Sequence, residues 1–516
     1  MRVRSIVIIS LSVGLLLGLI MWASTHIDTA HASGTTRISI ISASCQTVSC
    51  TTFLPLIRKS PPVIPAEFEV TQAVQQPNNS VILVANRTTY VRFTLTTTNL
   101  TDNVSADLYG LDSNDLPLPG SPLAAINNPR TLTASANRAA LGDTFNFKLP
   151  AAWTSGSIKL SARASNSAGY DVSTATEPFQ FVSANPMHVT IIPIHYTCNN
   201  YANTAYTPAA PFGYLTNYTY RIYPVPAIIT STHSTTNYSG PCSSVGPVPS
   251  YQDWKNILSA ITDNWSADGS PNNYYYGLIT IDCGGFCIAG IGWIGGYKAA
   301  VGFTGFGAAH TDAGETHAHE VGHNHGRDHA PGCGTSGDLA YPYLNSSGDG
   351  IIGNSSHQNF GFDILAPQIH PYNTYYDIMN YCTPQWVSDY TYAGLYNFDN
   401  VILNSAQSRP LSNRSFLISG SIDPGSDQAT IQSVYALDVP AALPPRGDHT
   451  LELLNAQGNI IAAYSFKPTL AHADRFPSGS SGVLTGFHLN IPYVDNVASI
   501  RIRRGSMILG QLGSGA

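Results

Sequence analysis

Hydrophobic and polar residues alternate along the N-terminal part of the chain. Between residues 67 and 182, short alternating runs are separated by turn residues. Period-two alternation with a turn every ~8–12 residues is typical of antiparallel β-sandwiches. We therefore predict an immunoglobulin-like β-sandwich over residues 66–185. Its clearest strands are expected at residues 68–70, 90–95, 144–149 and 158–162.

The pattern changes near Pro186. Residues 188–195 are mostly apolar and predict a buried strand, and residues 274–282 predict another. Between them, after Ser250 as a candidate N-cap, apolar residues recur at helical spacing. A strand, a helix and a strand in this order indicate an α/β unit, which we place within residues 186–405. The helical apolar positions are Trp254, Ile257, Leu258, Ile261 and Trp265.

A glycine-rich segment over residues 290–303 alternates with apolar residues and predicts a strand at a sheet edge. Two interpretations stay open. The glycines allow close packing, which we favour slightly, or the edge pairs with an extended peptide substrate.

Short alternating strands return after residue 409 and predict a small β-domain over residues 406–516. These strands are expected at residues 429–439, 450–454, 460–466, 487–491 and 499–502.

The N-terminus has the pattern of a secretory signal peptide. Two arginines precede an apolar stretch over residues 5–23, and residues 30–32 have the small-x-small pattern of a cleavage site. We predict a signal peptide over residues 1–32 and a linker over residues 33–65, and hence a secreted or cell-surface protein. The apolar stretch is long for a cleaved signal, so an uncleaved signal anchor in a membrane is the alternative.

Composition changes this picture in two respects. The 516 residues are 11% charged with a net charge of −7, and no long basic run offers a site for nucleic acid. All eight cysteines follow the predicted signal, and an even number favours disulfides in an exported chain. Neighbouring positions suggest the pairs 45–50, 198–242, 283–287 and 333–382, although the sequence leaves the connectivity open.

One stretch carries the candidate chemistry. From His319 it reads His-Glu-x-x-His-x-x-Gly-x-x-His. His319 and His323 lie on one face of a helix, where both can bind one zinc ion. Gly326 permits the turn that brings His329 to the same ion. Three histidines leave a coordination position for water, and Glu320 is the expected base that takes a proton from it.

Other histidines surround this motif. His317 and His325 each lie two residues from a ligand, about 200° around a helix, so we expect them to be hydrogen-bonded or solvated rather than ligands. The alternative for the whole motif is a histidine-rich surface helix without function.

The motif resembles that of the metzincin clan of zinc metalloendopeptidases. That clan has a methionine turn downstream, beneath the metal, and residues 377–381 (Asp-Ile-Met-Asn-Tyr) are similar to it. The resemblance implies that Met379 forms an apolar floor under the histidines. In astacin-like and serralysin-like members a tyrosine two residues later stabilises the oxyanion, which implies the same role for Tyr381. Simple packing of Tyr381 is the alternative.

The stretches around Cys333 and Cys382 resemble a group of bacterial exported metzincin-like proteins that carry β-sandwich modules. This resemblance implies a Cys333–Cys382 disulfide that ties the zinc loop to the methionine turn and supports ligand geometry. The predicted fold is a metzincin-like catalytic domain of mixed α and β structure (α+β or α/β), flanked by the β-sandwich and the C-terminal β-domain.

The predicted function is that of an exported, monomeric endopeptidase. It would hydrolyse peptide bonds of proteins or glycoproteins with a zinc-bound water activated by Glu320. The other interpretation is a catalytically silent surface binding or adhesion protein that uses its β-domains. Two further alternatives carry less weight: an inhibitory linker in which Cys45 or Cys50 caps the zinc, and a calcium site at Asp349.

Overall fold

A computed structural model describes most of the chain. The described residues are 67–97, 101–199, 205–241, 249–269, 271–280, 288–295, 298–304, 311–335, 337–402, 414–423, 425–437, 441, 444, 446–473 and 483–513. The predicted signal peptide over residues 1–32 and the linker over residues 33–65 lie outside them, so both stay predictions. Among the described residues, no helix combines the length and the apolar character that crossing a membrane requires.

The alternating N-terminal segment forms two β-sheets around a shared apolar core. One sheet has the order β1-β4-β8, and the other has the order β3-β11-β9-β5-β6, with β7 on β5 and β10 on β9. Phe93, Leu108 and Leu160 lie in the core between them, because alternation places apolar side chains on one face of each strand. The strands are β1 (Glu67–Thr71), β2 (Val74–Gln75), β3 (Leu83–Val84), β4 (Tyr90–Thr94), β5 (Thr101–Leu111), β6 (Leu123–Ala124), β7 (Arg130–Leu132), β8 (Thr144–Lys148), β9 (Gly156–Ser165), β10 (Asp171–Ser173) and β11 (Glu177–Val182).

A mixed sheet forms the middle of the chain. Its strands are β12 (Met187–Cys198), β13 (Ala205–Tyr206), β14 (Ile228–Thr232), β15 (Thr236–Gly240), β16 (Tyr274–Thr280), β17 (Gly290–Trp293) and β18 (Ala299–Thr304). Strands β12, β16 and β18 are parallel neighbours, and β17 runs antiparallel to β18. The strand predicted at residues 188–195 is thus confirmed as β12, and the one predicted at 274–282 is confirmed as β16 over residues 274–280, beyond which residues 281–282 lie outside the described part of the chain.

Helices cover both faces of this sheet. They are α1 (Gly213–Ile222), α2 (Tyr251–Ala267), α3 (Thr311–Asn324) and α4 (Asp389–Asn397), which continues into a π-helical turn (Phe398–Ile402). The apolar face of α2 packs on one side through Trp254 and Ile261. Helices α1 and α3 pack on the other side, together with Met379. The predicted cap is confirmed, because Ser250 and Asp253 form a capping box at the start of α2.

Four short strands follow α3 in the chain. They are β19 (Phe360–Asp363), β20 (Gln368–His370), β21 (Tyr376–Asp377) and β22 (Gln385–Trp386). Strand β2 of the N-terminal segment pairs with β19. The Arg87 side chain is buried and donates hydrogen bonds of 2.6 Å and 2.9 Å to the carbonyls of Tyr220 and Val225, at the end of α1. Backbone pairing and buried hydrogen bonds therefore cross the predicted limit at residue 185.

The C-terminal segment adds to the middle sheet. Strand β27 pairs antiparallel with β17, which gives the order β17-β27-β28-β23-β24, while β26-β25-β29-β30 form a separate sheet. One continuous sheet therefore crosses the predicted limit at residue 405. The strands are β23 (Ser415–Asp423), β24 (Gln428–Leu437), β25 (His449–Leu454), β26 (Ile460–Phe466), β27 (Thr469–Ala473), β28 (Val483–Pro492), β29 (Ser499–Arg504) and β30 (Met507–Gly513).

Candidate metal centre

Helix α3 presents the first two histidines of the motif. His319 and His323 stand one helical turn apart, and both are buried, with 3% and 0% exposure. The helix ends at Asn324, and Gly326 follows with a φ of +71°. A left-handed backbone is the conformation that glycine adopts without a steric penalty, so Gly326 turns the chain back toward the helix as expected.

The turn brings His329 to the same place as the other two histidines. Nε2 of His323 lies 3.1 Å from Nε2 of His319 and 3.1 Å from Nε2 of His329. One nitrogen from each ring lies within 4.8 Å of the others, so the three side chains can hold a metal ion.

Backbone carbonyls orient two of these rings. Nδ1 of His319 lies 2.7 Å from the carbonyl oxygen of Ile378, and Nδ1 of His323 lies 2.7 Å from that of Arg327. A carbonyl oxygen only accepts hydrogen bonds, so each Nδ1 carries the proton and each neutral ring presents a lone pair at Nε2. Outer partners of this kind are typical of metal-binding histidines.

The donor set fits a small divalent cation. Two lone pairs that face each other at 3.1 Å repel unless a positive charge lies between them. Tetrahedral coordination at a zinc–nitrogen distance of ~2.0–2.1 Å separates the ligand nitrogens by about 3.3 Å. The observed spacing is close to that value.

Glu320 lies beside the histidines and against two glycines of β17. It is fully buried, at 0% exposure. A Cβ atom on Gly290 would lie 2.7 Å from Cγ of Glu320, and one on Gly292 would lie 2.6 Å from its backbone oxygen. Strand β17 can therefore approach α3 only because these two positions have no side chain. The Gly-x-Gly pattern of residues 290–292 was visible in the sequence, but nothing in the sequence indicated that these glycines contact Glu320.

Met379 is buried against helix α3. It is 1% exposed, and a Cβ atom on Gly322 would lie 2.6 Å from its Sδ. The backbone oxygen of Met379 accepts a 2.8 Å hydrogen bond from the N–H of Ala330, the residue after His329. The turn therefore supports the third histidine as well as the helix.

Tyr381 reaches the histidine cluster. Its hydroxyl lies 3.0 Å from Nε2 of His329, and its ring stacks on that of His319 with centroids 5.9 Å apart. The phenol hydroxyl therefore lies beside a nitrogen that would bind the metal.

A disulfide links Cys333 and Cys382, as the resemblance implies. It joins the loop after His329 to the segment after Tyr381. Each of the other three suggested pairs includes a cysteine outside the described residues, so those pairs stay predictions. Asp349 lies close to both bridged sulfurs, but sulfurs joined in a disulfide are not thiolate ligands.

The neighbouring histidines are buried rather than solvated. Nδ1 of His317 lies 2.6 Å from Oγ1 of Thr219, and burial lowers the pKa of His317 to about 3. His325 contacts Asp399, with 2.9 Å between Nε2 and Oδ2. Burial alone would raise the pKa of Asp399, but His325, Lys298 and Tyr274 outweigh it and hold the pKa well below its usual range.

The edge-strand interpretation of residues 290–303 is decided by the C-terminal segment. Strand β17 pairs with β18 on one side and with β27 on the other, where Ile291 faces Ala473 and Trp293 faces Ala471. At Ile291 and Gly292 both edges are already paired, so these two residues offer no open edge to a peptide. The favoured interpretation, glycines that allow close packing, agrees with the contacts of Glu320.

Comparisons with known proteins do not identify a family for this chain. No family model matches the sequence, and no curated protein sequence matches it either. A solved structure assigned as a polysaccharide deacetylase from Bacillus anthracis is 10% identical, over 37% of this chain and 67% of that chain, with a TM-score of 0.14. A polysaccharide deacetylase from Bacillus cereus is 9% identical, over 35% of this chain and 66% of that chain, with a TM-score of 0.13. At such scores the likeness carries no argument about fold or chemistry, so function has to be argued from the site.

Proposed function

We propose that this protein is an exported zinc-dependent endopeptidase. The observation that carries the proposal is the convergence of the Nε2 atoms of His319, His323 and His329 beside the buried carboxylate of Glu320. Export, a secreted or cell-surface location, a monomeric state and protein or glycoprotein substrates rest on the sequence.

Zinc is the metal that this donor set favours. Three neutral imidazoles without a thiolate or a carboxylate ligand form the donor set of catalytic zinc sites that keep one position open. Calcium and magnesium prefer oxygen ligands, which the three histidines do not provide. When bound, zinc supplies Lewis-acid chemistry, because it polarises a substrate carbonyl and acidifies a water ligand.

Residues around the histidines carry out proton transfer and exclude solvent. Glu320 accepts a proton as water attacks the peptide carbonyl, and it then donates that proton to the leaving amine. Gly290 and Gly292 hold β17 against Glu320 and help to exclude solvent from it.

We infer that Tyr381 acts on the substrate oxygen. Its hydroxyl lies beside Nε2 of His329. A phenol there can donate a hydrogen bond to the oxyanion that develops during attack, and such donors stabilise the transition state more than the ground state.

The test is casein digestion with and without a zinc chelator, together with zinc content. Wild-type protein should bind one zinc ion and lose activity on chelation. Glu320→Ala should bind zinc normally and cleave nothing. Glu315→Ala, on the same helix but only half-buried, is the matched control and should remain active. Proteolysis retained by Glu320→Ala would overturn the assignment. Zinc-loaded wild type that cleaves neither casein nor other unfolded proteins would favour the binding or adhesion alternative.

A further inference from the structure

Backbone carbonyls in the turn at residues 377–381 accept hydrogen bonds that position two of the three histidines. The carbonyl of Ile378 accepts the Nδ1 hydrogen of His319, and the carbonyl of Met379 accepts the N–H of Ala330, next to His329. The position of this turn therefore sets the direction of one imidazole and the place of another. A residue that fixes the position of this turn therefore also fixes the positions of His319 and His329.

Asp377 holds the turn from inside the protein. It is 0% exposed. Its Oδ1 accepts a 2.9 Å hydrogen bond from the N–H of Met379. Its Oδ2 accepts a 3.0 Å bond from the N–H of Ser388 and a 2.5 Å bond from the Ser388 hydroxyl. One carboxylate thus joins the turn to the residue that caps α4.

Only a carboxylate satisfies this set of partners. All three bonds come from donors, and two of them are backbone N–H groups that cannot reverse their role. An asparagine at position 377 has only one side-chain oxygen. Because the two N–H donors bond different oxygens of Asp377, the NH2 group of the asparagine would face one of these donors. Hydrogen bonds to a charged acceptor are also about twice as strong as those between neutral groups.

We propose that Asp377 is a positioning residue for the metal centre: it fixes the turn whose carbonyl at Ile378 aims His319 at the metal. The proposal rests on the proposed metal site and extends it to a residue that touches neither metal nor substrate. Direct hydrogen-bond partners of metal ligands typically contribute 10–100-fold in affinity, and Asp377 acts through such a partner, the carbonyl of Ile378.

Asp253 provides a matched control elsewhere in the fold. It is 2% exposed, and its Oδ2 accepts bonds of 2.9 Å and 2.6 Å from the N–H and the hydroxyl of Ser250, the cap of α2. Its Oδ1 accepts a 2.8 Å bond from the Tyr238 hydroxyl. The two aspartates therefore have nearly the same hydrogen-bonding role, but Asp253 lies on the α2 side of the sheet, away from the histidines.

The experiment measures metal affinity, independently of activity. Zinc affinity is determined by competition with a chromophoric chelator, and the visible spectrum of bound Co²⁺ reports the ligand geometry. The proteins are wild type, Asp377→Asn, the milder Ser388→Ala, and Asp253→Asn. We expect Asp377→Asn to weaken zinc binding about 10–100-fold and to alter the cobalt spectrum. Ser388→Ala should show a smaller change in the same direction. Asp253→Asn should lose stability while it keeps wild-type affinity and spectrum.

Each outcome separates the inference from the proposed function. Wild-type affinity in Asp377→Asn, or an equal loss in Asp253→Asn, would overturn the positioning role and leave the zinc site intact. If Asp377→Asn does not fold, Ser388→Ala decides, since wild-type affinity and spectrum in that variant would also overturn the role. Failure of the wild type itself to bind zinc or cobalt would overturn the proposed function.

Discussion

The buried carboxylate of Glu320 occupies the space that a side chain at Gly290 would need. A methyl group at position 290 would stand 2.7 Å from Cγ of Glu320 and closer still to Oε1. The backbone of β17 therefore sets the position of the proposed base. Any side chain at this position of the strand would displace it.

Gly290→Ala should therefore separate metal binding from catalysis. Because a misplacement of about 1 Å can cost on the order of 100-fold in rate, we expect kcat to fall by about that factor. Zinc content should stay at the wild-type level, since the three histidines are untouched. The comparison is Gly513→Ala in β30, where an added Cβ meets nothing within 4 Å. Full activity in Gly290→Ala would show that Glu320 tolerates displacement or is not the base.

Tyr381→Phe removes the hydroxyl that lies 3.0 Å from Nε2 of His329. If this hydroxyl stabilises the oxyanion, kcat and kcat/KM should both fall, by roughly 100–1000-fold, as when one oxyanion donor is lost. Zinc affinity should change little, because the ring and its stacking remain. Steady-state kinetics on a fluorogenic peptide provide the measurement. Unchanged kcat and kcat/KM would assign Tyr381 to packing alone.

The disulfide between Cys333 and Cys382 closes a loop with a sequence separation of 49 residues. Cys333→Ser with Cys382→Ser should lower the free energy of unfolding by about 2–4 kcal/mol, because the unfolded chain regains freedom. Zinc affinity should also fall, since the bridge joins the loop after His329 to the segment after Tyr381. Denaturant unfolding and chelator competition report the two effects. A double variant with an unchanged free energy of unfolding and unchanged zinc affinity would contradict both expectations.

His317 should make the folded protein sensitive to acid. Burial lowers the pKa of His317 to about 3, whereas an exposed histidine titrates near pH ~6.5. Below that pH the unfolded chain binds a proton that the folded chain does not. The free energy of unfolding should therefore fall by up to about 1.4 kcal/mol per pH unit from this residue, down to about pH 3.

The measurement for His317 compares zinc-free wild type with His317→Asn by denaturant unfolding at about pH 7 and about pH 5. The variant should show a shallower loss of stability between these two conditions. Identical losses in the two proteins would show that the folded state accommodates the charged imidazole.

Local sequence patterns predicted individual strands and helices better than they predicted which of these elements pair or pack together. Apolar runs and helical spacing indicated β12, α2 and β16, because burial imposes a period on each element separately. Strand β5 was not among the clearest strands expected, since small residues such as Ala106 and Gly110 weaken its alternation. Helix α1 was missed. Strand β27 was missed too, and with it the pairing that covers β17, because the sequence does not record which distant strand occupies an edge.

The sequence by itself determined the donor set and its order: three histidines at helical and turn spacing, a glutamate between the first two, and a glycine where the helix ends. These features act over a few residues, where bonding geometry alone fixes what can meet. Only the tertiary structure decided what surrounds them. It brought Ile378 to His319, Gly290 to Glu320, Tyr381 to His329 and β27 to β17. Such contacts depend on how whole elements pack, and packing is settled by the sum of many weak interactions that no short stretch of sequence contains.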